Sequence, residues 1–325
     1  MIKDQETGVL KPFDFDNLYN YIPVLKDFNY HLDVVSFDPL IDSSNMNPKH
    51  WVKLAELIQK DYENYDGFVI LHGSDTMAYT ASSLSFMLEN LNKPVIITGS
   101  QLPLGELRTD GRENFITAVE IAASYEDNTP VVPEVCVYFE NKLYRGNRTY
   151  KYNAENFNAF LSGNYPVLAD AGVNLKFHHN RILKPNFKRL KVHKKLACEV
   201  AILKLFPGMS KEYVDAVLNI QNLKAVVMES FGSGNATTEI WFIELLKKAI
   251  NKGLIIVNIS QCLSGTVDMA KYETGKQLLD IGVISGKDMT TAAALAKLMV
   301  LLGEYSDNEM ILNKFNKLFC GEFSQ

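Results

Sequence analysis

The stretch Asp66-Gly-Phe-Val-Ile-Leu-His-Gly-Ser-Asp-Thr-Met-Ala-Tyr79, followed by Lys93-Pro-Val-Ile-Ile-Thr-Gly-Ser-Gln-Leu-Pro103, decides the fold. Phe68 to Leu71 is an apolar run too short for a helix and closed by His72-Gly73, which reads as a strand buried in a parallel sheet. Met77 to Leu91 carries apolar residues at helical spacing, and Val95 to Ile97 is a second buried strand ended by Thr98-Gly99-Ser100. Strand, helix and strand within about 30 residues make a βαβ unit with an expected right-handed crossover. Both polar turns then fall at the carboxyl ends of neighbouring strands, where open α/β sheets bind ligands. Ser74, Asp75, Thr76, Thr98, Ser100 and Gln101 are therefore expected around one crevice.

Before this unit, the sequence suggests a turn at Glu6-Thr7-Gly8, an amphipathic piece from Phe13 to Leu25 and an alternating strand from Leu32 to Phe37. Asp38 to Asn45 is rich in turn formers, and Asn47-Pro48 opens a helix with Asn as cap and Pro at its first position. After the unit, Leu107 to Ser124 reads as a helix and Val135 to Phe139 as a strand. Lys176 to Lys195 is basic and histidine-bearing without an acidic residue, which suits a solvated interdomain linker, with a nucleic-acid patch as the alternative. Strands follow at Val200–Phe206, Lys224–Phe231 and Leu254–Ser260. Helices follow at Lys211–Ile220, Thr237–Lys252, Thr290–Gly303 and Glu309–Phe319. The expected architecture is two α/β domains, a parallel-sheet N-terminal domain over 1–180 and a smaller C-terminal one over 199–325, joined by a linker over 181–198.

Composition bounds the function. An apolar fraction of 47% with 22% charged residues is that of an ordinary globular chain. A net charge of −5 argues against a nucleic acid or an anionic membrane as the main partner. Cys136, Cys198, Cys262 and Cys320 are far apart with no CxxC pair, which favours reduced thiols and a cytoplasmic location. The first residues lack the apolar core of a signal peptide, and no apolar run approaches the roughly 18 residues of a spanning helix. Gly232-Ser-Gly-Asn-Ala-Thr lacks the third glycine of a dinucleotide fingerprint, and no histidine pair has metal-ligand spacing, so neither cofactor nor metal is expected.

Ser74 and Asp75 have two readings. A Ser or Asp after a parallel strand caps the next helix; alternatively, Ser74 is a hydroxyl nucleophile or relay, and Asp75 a carboxylate for a cationic ligand group. A hydroxyl needs a base, for which Lys151 is a candidate. Asp42-Ser43-Ser44 is either an Asx-type turn or a set of donors holding a carboxylate. From residues alone the chain is a hydrolase or a binding protein for a small zwitterion.

Those segments resemble the cytoplasmic (type I) L-asparaginase family. The resemblance rests on Asp42-Ser-Ser, Gly67 to Ser82, Leu84 to Leu91, Thr98-Gly-Ser-Gln-Leu-Pro, Leu107-Arg-Thr-Asp-Gly, Leu143 to Thr149, Ser230 to Ala236 and Gln261-Cys-Leu-Ser-Gly. It implies hydrolysis of L-asparagine to L-aspartate and ammonia through two hydroxyls and an acyl-enzyme, without a cofactor. Carried over by position, Ser74 is the second hydroxyl, Asp75 grips the substrate α-amino group and Lys151 activates the hydroxyl. Asp42, Ser43 and Ser44 hold the α-carboxylate, and Gln101 lines the amide pocket. The resemblance also implies a homodimer or homotetramer.

Three departures qualify it. The family's first threonine lies in Thr-Gly-Gly-Thr-Ile, which does not occur in these 325 residues; the expectation is that the true start lies upstream of Met1. Ser74 stands where the family usually has Thr, with the hydroxyl retained. Glu229 stands where allosteric members carry an effector-binding Arg, so hyperbolic kinetics are expected. The competing expectation is a silent asparagine- or aspartate-binding protein, and a third is the asparaginase-like subunit of a tRNA-dependent amidotransferase.

Overall fold

The computed structural model describes residues 29–324 without a break, together with 2, 3, 10, 11, 22, 23 and 25. The turn expected at Glu6-Thr7-Gly8 and most of the piece expected over Phe13–Leu25 lie outside the described residues. The chain divides into two compact units, one of residues 1–161 and 166–192, the other of 162–165 and 193–325.

In the first unit, helix α1 (Pro48–Asp61) starts as its sequence dictates. The Asn47 side chain accepts from the Lys49 amide at 3.0 Å, and the His50 ring accepts the Asn47 amide at 3.3 Å. The sheet contains β1 (Phe68–Leu71), β2 (Val95–Thr98), β3 (Val135–Phe139), β4 (Lys142–Arg145), β5 (Ala169–Ala171) and β6 (Leu175–Phe177), side by side in that order. Helices α2 (Met77–Met87) and α3 (Gly111–Ala122) supply the crossovers that make β1, β2 and β3 parallel. From β3 onward the sheet turns antiparallel. Glu140 (φ 45°) and Asn141 (φ 62°) form the two-residue connection, both left-handed as a tight hairpin requires. Val95, Ile96 and Ile97 are completely buried, as are Met77, Ala81, Leu84 and Met87 of α2, so this helix is packed nearly all round.

Three local expectations differ from the structure. Leu32 to Phe37 forms no strand; Val34 and Val35 are exposed, and no strand among the described residues pairs with the segment. The helix expected from Met77 to Leu91 ends at Met87, where Leu88–Glu89 turns to pair with Lys191–Val192. The helix expected from Leu107 begins only at Gly111. Asp110 accepts the amides of Gln101 and Leu102, which keeps 102–110 in a turn.

The second unit is a parallel sheet of β7 (Val200–Lys204), β8 (Ala225–Ser230), β9 (Ile255–Ser260) and β10 (Ile284–Ser285), again in chain order. Its helices are α4 (Lys211–Leu218), α5 (Ile240–Asn251), α6 (Glu273–Asp280), α7 (Thr291–Glu304) and α8 (Asn308–Phe315). On one side of the sheet Val226, Met228 and Ile256 pack with Val214, Phe242, Leu246 and Leu278. Strand β10 and helix α6 carry too short a pattern to stand out in the sequence.

Candidate active site

The candidate residues belong to the first unit and gather at the carboxyl ends of β1 and β2. Their register pairs Leu71 with Thr98, so His72-Gly73-Ser74 and Gly99-Ser100-Gln101 leave the sheet side by side. Only glycine fits at position 99, since a Cβ there would lie 2.1 Å from the His72 carbonyl oxygen.

Ser74, Asp75, Gln101 and Lys151 come together. The Lys151 ammonium donates to Ser74 Oγ at 2.8 Å and to Asp75 Oδ1 at 2.6 Å. Ser74 Oγ in turn donates to Gln101 Oε1 at 3.0 Å. The Gln101 amide is oriented by its other end, where Nε2 donates to the carbonyls of Ala154 (3.2 Å) and Asn156 (3.0 Å). Lys151 reaches this point from a short strand, Tyr150–Lys151, paired with Phe160–Leu161. Ahead of it, Gly146 packs its backbone on Ala81 of α2, and Asn147 and Arg148 are buried. The lysine side chain is thus mostly covered, 17% exposed, while Asp75 opens to solvent at 63%.

The loop Asp42-Ser43-Ser44 stands beside the Ser74 turn. Ser44 donates both its amide (2.9 Å) and its hydroxyl (2.7 Å) to Asp42 Oδ1, which holds the Asp42 carboxyl below its ordinary value. Ser43 is buried, and its carbonyl accepts from the Thr76 hydroxyl at 2.7 Å. Thr98 is not part of the crevice. It is fully buried and donates to the Tyr138 carbonyl, joining β2 to β3.

This arrangement can lower the barrier to acyl transfer: a hydroxyl beside an amine, a carboxylate for a cation, and a second loop for an anion. Among the described residues no group of three His, Cys, Asp or Glu side chains could hold a metal.

The family model "Asparaginase, N-terminal" matches residues 1–183, and "Glutaminase/Asparaginase C-terminal domain" matches 199–315. The chain belongs to the asparaginase family. L-asparaginase 1 of Escherichia coli K12 is 44% identical over 302 residues, which cover 93% of this chain and 86% of that one. The crystal structure of L-asparaginase I from Vibrio cholerae superposes with a TM-score of 0.83 at 43% identity, over 90% of this chain and 86% of that one. The thermostable L-asparaginase from Thermococcus kodakarensis superposes at 0.90 with 30% identity, over 99% and 95%.

Two supports of this candidate site are not evident in the sequence pattern. Asp110 and Asn114 anchor the second turn: Asp110 holds the Gln101 and Leu102 amides, and Asn114 donates to the Gly99 carbonyl at 2.9 Å. Leu107-Arg-Thr-Asp-Gly was the available signal. The other support is a relay behind Ser74. The Trp51 indole donates to Thr80 Oγ1 at 2.9 Å, Thr80 meets His72 Nε2 at 2.8 Å, and His72 Nδ1 meets the Gly73 carbonyl at 2.6 Å. A carbonyl can only accept, so Nδ1 carries the proton and Nε2 accepts from the Thr80 hydroxyl. Glu229, in the second unit, accepts from the Thr291 hydroxyl at 2.7 Å, with Lys204 at 3.7 Å.

Desolvation holds the His72 imidazole below its ordinary value of 6.5, outweighing the bond to Gly73. The unfolded chain therefore takes up a proton before the folded one as pH falls. The stability tied to neutral His72 is complete above about 6.5 and is lost as pH drops toward the folded value. Melting temperatures between pH 7.5 and 5 should fall more steeply for the wild type than for His72→Asn; parallel curves would contradict this.

Proposed function

We propose that this chain hydrolyses the side-chain amide of L-asparagine to L-aspartate and ammonia, without a cofactor, through a hydroxyl nucleophile and an acyl-enzyme. The observation that carries the proposal is the Lys151 amine within 2.8 Å of Ser74 Oγ and 2.6 Å of Asp75. The substrate's α-ammonium competes with Lys151 for Asp75, and its α-carboxylate meets the Asp42–Ser44 loop. Lys151, released toward Ser74 and turned into a free amine by giving one proton to solvent, takes the hydroxyl proton as Oγ attacks the amide carbon. Backbone N–H groups at the turn stabilise the oxyanion. The proton passes to the leaving nitrogen, ammonia departs, and water cleaves the ester to give aspartate and free Ser74.

The resemblance assigns the first attack to a threonine in Thr-Gly-Gly-Thr-Ile. Ser74 is the hydroxyl that these 325 residues supply, so slow turnover is expected from them. Membership of a family whose compared members are named L-asparaginases supports hydrolysis over silent binding. The four free cysteines support a cytoplasmic location. No described helix is long and apolar enough to cross a membrane. A homodimer or homotetramer is the proposed assembly, to be measured by light scattering.

The test is ammonia release from L-asparagine by the chain and by Ser74→Ala. Loss of turnover in the variant is the expected result. Equal turnover in both would remove Ser74 from the mechanism. Absence of turnover in both, with asparagine still raising the melting temperature, would leave the silent binding protein.

A further inference from the structure

Thr76 occupies the N-cap position of α2, where a threonine hydroxyl ordinarily accepts a helix amide. Its side chain makes no such bond. The hydroxyl instead donates to the carbonyl of Ser43, at 2.7 Å, across a gap of 33 residues in sequence. That carbonyl also accepts the Met46 amide at 3.1 Å, so both of its lone pairs are used. A second contact fixes the same loop. A Cβ on Gly73 would lie 2.4 Å from Ser43 Oγ and 2.7 Å from Ser43 Cβ, so the bare Gly73 backbone is the surface on which Ser43 rests.

We propose that Thr76 is a positioning residue that tethers the Asp42–Ser44 loop to the Ser74–Asp75 turn and thereby sets selectivity for ligands carrying an α-ammonium and an α-carboxylate on one carbon. The proposal rests on the asparagine-binding reading of this site. The two groups would be gripped by separate segments, Asp75 on one and the Asp42–Ser44 loop on the other. Nothing in the covalent chain holds those segments at a fixed spacing; the hydroxyl tether and the Gly73 contact do. A cap bond would stabilise α2 alone, whereas the observed bond joins two parts of the site.

The test uses Thr76→Val, which keeps the shape and removes the hydroxyl, Thr76→Ser, which keeps the hydroxyl, and Gly73→Ala, which pushes on Ser43. Backbone amide exchange is followed at 44–46 and, as an internal control, in α1. Binding of L-aspartate is compared with that of β-alanine, which lacks the α-carboxylate. Thr76→Val and Gly73→Ala should speed exchange at 44–46 but not in α1. They should also weaken L-aspartate about tenfold, the equivalent of one hydrogen bond, and leave β-alanine unchanged. Thr76→Ser should restore both. Unchanged exchange at 44–46 in Thr76→Val, or equal weakening of the two ligands, would overturn the proposal. If the wild type neither binds L-aspartate nor releases ammonia, the asparaginase reading fails, while the exchange at 44–46 still decides whether the tether exists.

Discussion

Lys151→Met is expected to lower the rate of ammonia release by about 10²–10⁴-fold, the usual contribution of a positioned acid–base group. Methionine matches the apolar stem of lysine as far as Cε and lacks only the terminal nitrogen, so the packing of the Tyr150–Lys151 strand is largely retained. What disappears is the amine between Ser74 Oγ and Asp75 Oδ1. Ser74 would keep its bond to Gln101 Oε1, yet have no base to receive its proton on attack. The loss should fall on kcat, with L-aspartate affinity retained or raised, because Asp75 and the Asp42–Ser44 loop remain and Lys151 no longer competes for Asp75. Ser74→Thr is the complementary variant: it retains the hydroxyl and should retain turnover. A Lys151→Met chain with wild-type kcat would remove the amine from the proton path, and the site would need another base. Among the described groups bonded to Ser74 Oγ, Gln101 cannot serve, since an amide oxygen is too weakly basic.

The positions of Ser74, Asp75 and Gln101 were legible because parallel strands end in the sequence as short apolar runs closed by Gly or Thr-Gly. The βαβ unit puts the two turns side by side whatever its side chains are. Lys151 was no more than a candidate base by local pattern, and the resemblance singled it out, because its placement depends on buried, non-periodic residues such as Gly146 and Arg148 that local pattern does not read. The antiparallel half of the first sheet was missed for a related reason. Lys142–Arg145, Ala169–Ala171 and Leu175–Phe177 are too short to show alternation; two of their pairings come from hairpins, and the third joins Lys142–Leu143 to Ala169–Asp170 across a long connection. Leu32–Phe37 shows the converse error: it alternates, yet none of the described strands pairs with it, and alternation alone does not make a strand. Thr98 and Thr76 look alike in sequence, yet one is a buried cross-strand donor and the other bridges two loops. Spacing places such residues, but the direction of the hydroxyl is settled by what packs around it.

Glu322→Ala is expected to destabilise the second unit by about 3–5 kcal/mol, the usual effect of leaving one partner of a buried ion pair alone. Lys297 and Glu322 are both completely buried, and the ammonium bonds to the Glu322 carboxylate. Its other two protons go to the carbonyls of Phe315 (2.8 Å) and Lys317 (2.6 Å), so all three donors are used. The rings of Phe315, Phe319 and Phe323 stand 5.2, 4.6 and 5.1 Å from the nitrogen, within cation–π range. Glu322 also accepts the amides of Phe319 and Cys320, so the same pair folds residues 319–322 back on α7. Burial lowers the affinity of Lys297 for its proton and Glu322 raises it, with burial the stronger. Removing the carboxylate removes the opposing effect, so the folded state of the variant holds that proton more weakly still. Between its folded value and 10.5 the unfolded chain binds more protons, and stability rises with pH. The melting temperature of Glu322→Ala should therefore recover toward wild type as pH rises toward 10.5, as the stranded amine sheds its charge. Lys297→Met combined with Glu322→Gln should be destabilised less than the sum of the single variants, without that pH-dependent recovery. A loss in Glu322→Ala under about 1 kcal/mol, or one that ignores pH, would mean that the pair contributes no more than a surface salt bridge.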